Sequence, residues 1–170
     1  GVLVWWWVPP DEATATRSAA VYPWRQRLAS VFTHRGSWLV VLSFAVYSAQ
    51  WLAIIGFLPS IYAQMGLSMA MGGTLTAAVA AANMGGNILS GRFLSRGVTP
   101  PALLRVGFVS MGTGAFLAFA QWQEWHLPAV LQFLCVVGFS AIGGVIPGTL
   151  FSLAVRLAPS DDTVATTVGW

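Results

Sequence analysis

The chain is organised as four apolar blocks that are separated by polar segments. The blocks cover residues 38–58, 70–89, 103–120 and 128–150. Each is close to the ~20 residues that an α-helix needs to cross ~30 Å of hydrocarbon. The pattern predicts an all-α fold, a polytopic transmembrane helix bundle. Because the connections between the blocks are short, we expect neighbouring helices to be antiparallel.

The basic residues follow the same division. All eight are arginines: Arg17, Arg25, Arg27 and Arg35 precede the first block, Arg92, Arg96 and Arg105 lie around the junction of the second and third, and Arg156 follows the fourth. Segments 59–69 and 121–127 contain none. Since cytoplasmic loops carry the positive excess, segments 9–36 and 91–102 are predicted to be cytoplasmic. The chain is thus predicted to be a multi-pass integral membrane protein, in the bacterial inner (plasma) membrane.

Composition excludes several other classes. Hydrophobic residues make up 56% and charged residues 8% of the chain, against ~25% charged in soluble domains. The net charge of +3 does not indicate nucleic-acid binding, because the arginines are accounted for by topology. Cys135 is the single cysteine, so neither a disulfide within the chain nor a cysteine-based metal site is expected.

The regions outside the four blocks have their own predicted roles. Residues 1–8 are apolar but too short to span, and are interpreted as the end of a truncated transmembrane helix or as a short interfacial anchor. Residues 9–36 are a predicted cytoplasmic loop, and 37–170 a transmembrane bundle that ends in the start of a fifth helix at 163–170. Within the loop, Trp24, Leu28 and Phe32 are spaced four apart with arginines opposite, which fits an interfacial helix or a flexible linker.

Polar residues recur at helical spacing inside the blocks. The first block contains Tyr47 and Gln50 on one stripe, and the second contains Asn83 and Asn87. An amide in hydrocarbon costs several kcal/mol unless it is satisfied, so these residues should face other helices or a wet cavity. The hypothesis is a substrate-binding cavity; the alternative is hydrogen bonding that holds the helices together. The predicted substrate-binding residues are Tyr47, Gln50, Asn83, Asn87 and Gln132.

Small residues form ladders with a spacing of four, which allows close helix packing. The ladders are Gly73–Ala77–Ala81–Gly85, Ser110–Gly114–Ala118 and Ser140–Gly144–Gly148. The pairs Gly143-Gly144 and Pro147-Gly148 predict a bend in the fourth block.

Enzymatic chemistry has no basis in this sequence. No acidic residue lies inside any block, and His34 and His126 fall in loops or at interfaces on opposite sides of the predicted membrane. No HExxH, CxxC or Walker motif is present. We therefore expect no catalytic residues, no metal site, no cofactor and no enzyme activity.

One segment carries a more specific pattern. It begins Gly91-Arg92 and ends Arg96-Gly97, and it resembles the cytoplasmic signature loop of the major facilitator superfamily, between the eighth and ninth helices of that family. Ser95 stands where the family often has Asp. Segments 83–87 and 146–151 also look like parts of the family's eighth and tenth helices.

The resemblance covers essentially the whole chain and implies an incomplete C-terminal half, from the end of helix six to the start of helix eleven. It implies a secondary active transporter of a small molecule that works by alternating access, with a missing N-terminal six-helix half, the lipid bilayer and a small-molecule substrate as partners. Gly91, Arg92, Arg96 and Gly97 would form a cytoplasmic gate loop; each arginine taken singly is equally explained by topology. The alternative function is a small multi-helix membrane scaffold or subunit without transport activity.

Overall fold

The computed structural model describes residues 23–120 and 127–157 as six helices. They are α1 Trp24–Thr33, α2 Arg35–Gln64, α3 Met69–Ser95, α4 Pro100–Phe119, α5 Ala129–Gly143 and α6 Val145–Leu157. The predicted all-α fold class is confirmed for this part of the chain. The predictions for residues 1–8, His126 and 163–170 lie outside the described residues.

The long helices are antiparallel to their neighbours in sequence. At one end of the bundle, Gly36 near the start of α2 lies beside Leu157 at the end of α6. At the other end, Gly72 of α3 lies beside Tyr62 of α2. We call the first of these the arginine end, because the exposed arginine side chains lie near it on α1 and at the helix termini: Arg25, Arg35, Arg92, Arg96, Arg105 and Arg156.

Three helical stretches are long and apolar enough to cross a membrane: Arg35–Gln64, Pro100–Phe119 and Ala129–Leu157. Helix α3 has 27 residues, which is more than the ~20 that a span requires. It is not among the three, because Asn83, Asn87 and several glycines lower its hydropathy. Its role as a fourth span stays a prediction.

Helix boundaries differ from the apolar blocks by several residues. The first block ends before Pro59, whereas α2 continues through Pro59 to Gln64. Proline removes one backbone hydrogen bond, but the buried side chains of Leu58 and Tyr62 on either side pack against the bundle and hold the helix there. The predicted loop 9–36 also contains helix α1, so residues 24–33 are helical as the interfacial-helix alternative predicted. The position of this helix in the membrane interface stays a prediction.

The fourth block is interrupted at Gly144, as the glycines and Pro147 predicted. Helices α5 and α6 on either side of this break form the centre of the bundle and pack against α2, α3 and α4. Their side chains Phe139, Ile146 and Leu150 are among the most deeply buried in the described part of the chain.

Of the three predicted small-residue ladders, two contribute to helix packing and one does not. Gly114 lies against Cys135 and Phe139, and the ladder that contains Gly144 and Gly148 packs on α3. The prediction for Gly73–Ala77–Ala81–Gly85 is wrong within this chain, because all four residues are exposed. Helix α3 instead turns Gly72, Val79 and Gly86 inward. A helix rich in Gly and Ala presents small residues on several sides, so the spacing alone did not select one.

Candidate functional site

A network of hydrogen bonds connects α2, α3 and α5 at the centre of the bundle. The Tyr47 hydroxyl donates to Asn83 Oδ1 at 3.1 Å, and Asn83 Nδ2 donates to the Ser140 carbonyl at 3.0 Å. The amide is therefore bonded on both sides, to α2 through its oxygen and to α5 through its nitrogen. This confirms that Asn83 faces neighbouring helices.

Ser140 extends the network. Its Oγ donates to the Val79 carbonyl at 2.7 Å and accepts from Trp51 Nε1 at 3.2 Å. The side chain is 0% exposed, so each of these bonds satisfies a group that water does not reach. Ser140 thus joins the same three helices as Asn83. Its contact on α3, Val79, lies one turn further from the arginine end than Asn83.

Sequence reasoning missed both Ser140 and Trp51 as members of this network. Ser140 was placed in a ladder of small residues, where its size was considered and its hydroxyl was not. Two signals were available: a hydroxyl in the middle of an apolar block requires a partner, and Trp51 follows Tyr47 by four residues, which places both on one helix face.

The network lies near half-depth. Tyr47 is twelve residues after Arg35 and seventeen before Gln64 on α2. Asn83 is fourteen residues after Met69 and twelve before Ser95 on α3. At ~1.5 Å per residue, both side chains are about 18 Å from the arginine end of their helices.

The five predicted substrate-binding residues are not all brought together. Asn87 lies one turn from Asn83 toward the arginine end, and its Oδ1 faces Gly148 of α6. Gln50 is exposed on α2, next to the network but outside it. Gln132 lies near the start of α5, about 12 Å along the helix from Ser140. It lines a small cavity at the arginine-free end together with Leu58, Tyr62 and Phe133.

Backbone contacts between α3 and the α5–α6 break fix the position of the amides. The Gly144 Cα lies against the Asn83 carbonyl, and Gly86 lies against the Ala141 carbonyl, with no space for a Cβ at either glycine. Gly148 packs against the side-chain oxygens of Ser90 and Asn87 and against the Asn87 carbonyl. Three glycines therefore set the distance between the amide-bearing helix and the interrupted helix.

The predicted gate loop is only partly a loop. Gly91 and Arg92 lie in the last turns of α3, which ends at Ser95, so the first part of the predicted gate loop is helical. A glycine inside a helix permits a turn without enforcing one, and here the helical bonds continue through it. The chain reverses at Gly97, whose φ of +87° is a conformation that favours glycine. Arg92 and Arg96 are both exposed.

The site has the chemistry of a neutral hydrogen-bonding surface. Its members are a phenol, amides, a hydroxyl and an indole. Over residues 23–120 and 127–157, no group of His, Cys, Asp or Glu is placed to hold a metal ion. Such a surface can bind a polar solute by hydrogen bonds or link helices to one another.

The family model of the Major Facilitator Superfamily matches residues 1–170 of the chain. No curated protein matches the chain. No solved structure matches it either.

Proposed function

Since the chain belongs to the major facilitator superfamily, a family of membrane transporters, we propose that it is the C-terminal part of a secondary active transporter of a small molecule. A six-helix N-terminal half forms the other wall of the transport path, and the two halves alternate about a central site. The observation that carries this proposal is the neutral polar network at half-depth, where transporters of this architecture bind their substrates.

Substrate contact is proposed for Tyr47, Gln50, Asn83 and Asn87, with Gln132 nearer the arginine-free end of the path. Gln50 is exposed and is free of the network, so it can meet a solute in this conformation. Asn83 keeps the second lone pair of Oδ1 and the second hydrogen of Nδ2, in addition to the bonds to Tyr47 and Ser140. A neutral polar solute, or the neutral portion of a charged one, suits these groups.

Orientation is proposed from the arginines, with the arginine end cytoplasmic. Ser95 and Gln64 lie at opposite ends of the bundle, and both are exposed. The test uses a variant of the protein in which Cys135 and any other cysteine have been replaced. In whole cells that express this variant, we expect Gln64→Cys to react with an impermeant maleimide added outside. Ser95→Cys should react only after the cells are opened. External labelling of Ser95→Cys would contradict the orientation.

Arg92 and Arg96 are proposed to stabilise the closed cytoplasmic gate. Both lie at the C-terminal end of α3, where a cation interacts favourably with the helix dipole. Replacing both with Gln in the full-length protein should lower the transport rate about tenfold, equivalent to ~1.4 kcal/mol, with little change in substrate affinity.

The matched control replaces Arg105 and Arg156 with Gln, because these arginines are also exposed at the arginine end but lie outside the signature segment. Transport into proteoliposomes is measured for both double variants, at equal amounts of inserted protein. If the transport rate falls equally in both double variants, or falls in neither, Arg92 and Arg96 have only a topological role.

A further inference from the structure

Helix α1 presents an exposed apolar edge at the arginine end of the bundle. Trp24 is 67% exposed and Phe32 is 45% exposed, although Val31 on the same short helix is 1% exposed. Two large exposed aromatic side chains on so short a helix are typical of helices that lie in a membrane interface.

This edge continues the exposed apolar surface of α2. The Phe32 ring packs against Trp38 with 6.5 Å between ring centroids, and Trp38 Nε1 donates to the Phe32 carbonyl at 2.7 Å. Leu39 and Leu42 follow Trp38 on α2 and are also exposed. Helix α1 therefore lies where the apolar surface of a membrane-spanning helix meets the arginine end.

Positive charge borders the same edge. The sequence pattern had suggested arginines opposite the apolar stripe, but the Arg25 guanidinium lies 5.5 Å from the centre of the Trp24 ring. Arg35 is exposed one residue beyond the α1–α2 junction. The sequence contains no Asp or Glu anywhere in residues 23–120 and 127–157, so no carboxylate of the described chain neutralises these guanidinium groups.

We propose that α1 is an interfacial helix that binds anionic phospholipid headgroups of the adjacent leaflet. Trp24 and Phe32 enter the boundary between headgroups and acyl chains, and Arg25 and Arg35 contact the lipid phosphates at the same level. Charge complementarity selects this occupant, because the surface is positive, has an apolar edge, and is continuous with the exposed apolar surface of α2. The proposal does not depend on transport activity or on the central network.

The test uses the full-length protein, from which Cys135 and any cysteine outside this chain have been removed. An environment-sensitive fluorophore is attached at Ala29→Cys, an exposed position on α1. The protein is reconstituted in nanodiscs of phosphatidylcholine alone or with phosphatidylglycerol, and quenching by acrylamide, a neutral molecule, is measured. We expect phosphatidylglycerol to shield the fluorophore, and added salt to reverse part of this shielding.

Two variants assign the effect to charge. Arg25→Gln should shift the equilibrium away from the shielded state about fivefold, the contribution of one arginine at an anionic surface, whereas Arg25→Lys should keep the shielding. A fluorophore at Gln64→Cys, at the arginine-free end, should not respond to phosphatidylglycerol.

Three results would overturn the proposal. Equal shielding in both lipid compositions would mean that α1 is covered without binding anionic headgroups, and equal exposure in both would mean that α1 lies in water. A response to phosphatidylglycerol that survives Arg25→Gln unchanged would also exclude the proposed headgroup contact at Arg25.

Discussion

Gly86→Ala is expected to destabilise the bundle by about 3 kcal/mol or more, at the upper end of the cost of overpacking. A Cβ at Gly86 would overlap the backbone carbonyl of Ala141 near the end of α5, and a backbone carbonyl cannot rotate away as a flexible side chain can. Helices α3 and α5 would have to separate, which would also weaken the bond from Asn83 to Ser140.

The adjacent glycine provides a matched control. Apart from the neighbouring residues and backbone of α3 itself, no atom lies within 4 Å of the position that a Cβ would take at Gly85, so Gly85→Ala should be neutral or stabilise the helix by about 0.5–1 kcal/mol. Gly112 on α4 is equally open and provides a second control. The folded fraction after heating in detergent, measured by size-exclusion chromatography, compares the three variants. A similar loss of stability in Gly85→Ala and Gly86→Ala would show that α3 and α5 do not approach as described.

Asn83→Ala is expected to have the second largest effect, on stability and on substrate binding together. It removes the partner of the buried Tyr47 hydroxyl, and an unpaired buried group costs about 1–3 kcal/mol. The Ser140 carbonyl keeps its helical bond from the Gly144 N–H, so Tyr47 accounts for most of the cost. If Asn83 also contacts substrate, affinity in the surviving protein should fall by a further ~1–3 kcal/mol.

Gln50→Ala separates the two roles. Gln50 is exposed and outside the network, so its removal should leave detergent stability within about 0.5 kcal/mol while substrate affinity falls. Tyr47→Phe removes only the hydroxyl and should reproduce the stability loss of Asn83→Ala. The double variant that carries both substitutions should lose no more stability than either single variant, because both changes remove the same hydrogen bond. Loss of stability in Asn83→Ala, with unchanged affinity in both Asn83→Ala and Gln50→Ala, would show that the network only links helices. The substrate assignment would then fail.

The sequence by itself determined the class of this protein. Apolar blocks of membrane-spanning length, with arginines only in alternate connecting segments, predicted the helical membrane bundle. Block length and the distribution of charge along the chain do not depend on tertiary contacts. The segment from Gly91 to Gly97, together with segments 83–87 and 146–151 and the loop and charge pattern, predicted the family that the family model confirms. The Gly143-Gly144 pair located the break between α5 and α6. The pattern of Asn83 and Asn87 also correctly predicted that amides at this depth face neighbouring helices.

Only the tertiary structure decided which residues meet. Gln50 and Tyr47 are on one stripe in the sequence, yet Tyr47 is buried in the network and Gln50 is exposed, since a difference of 60° around α2 separates the packed side from the open one. Ser140 became the centre of the network because α5 places its hydroxyl between Val79 and Trp51. Likewise, Gly86 packs closely while Gly85 is open. Helical period restricts a residue to one face, but the neighbour on that face is set by how the helices pack.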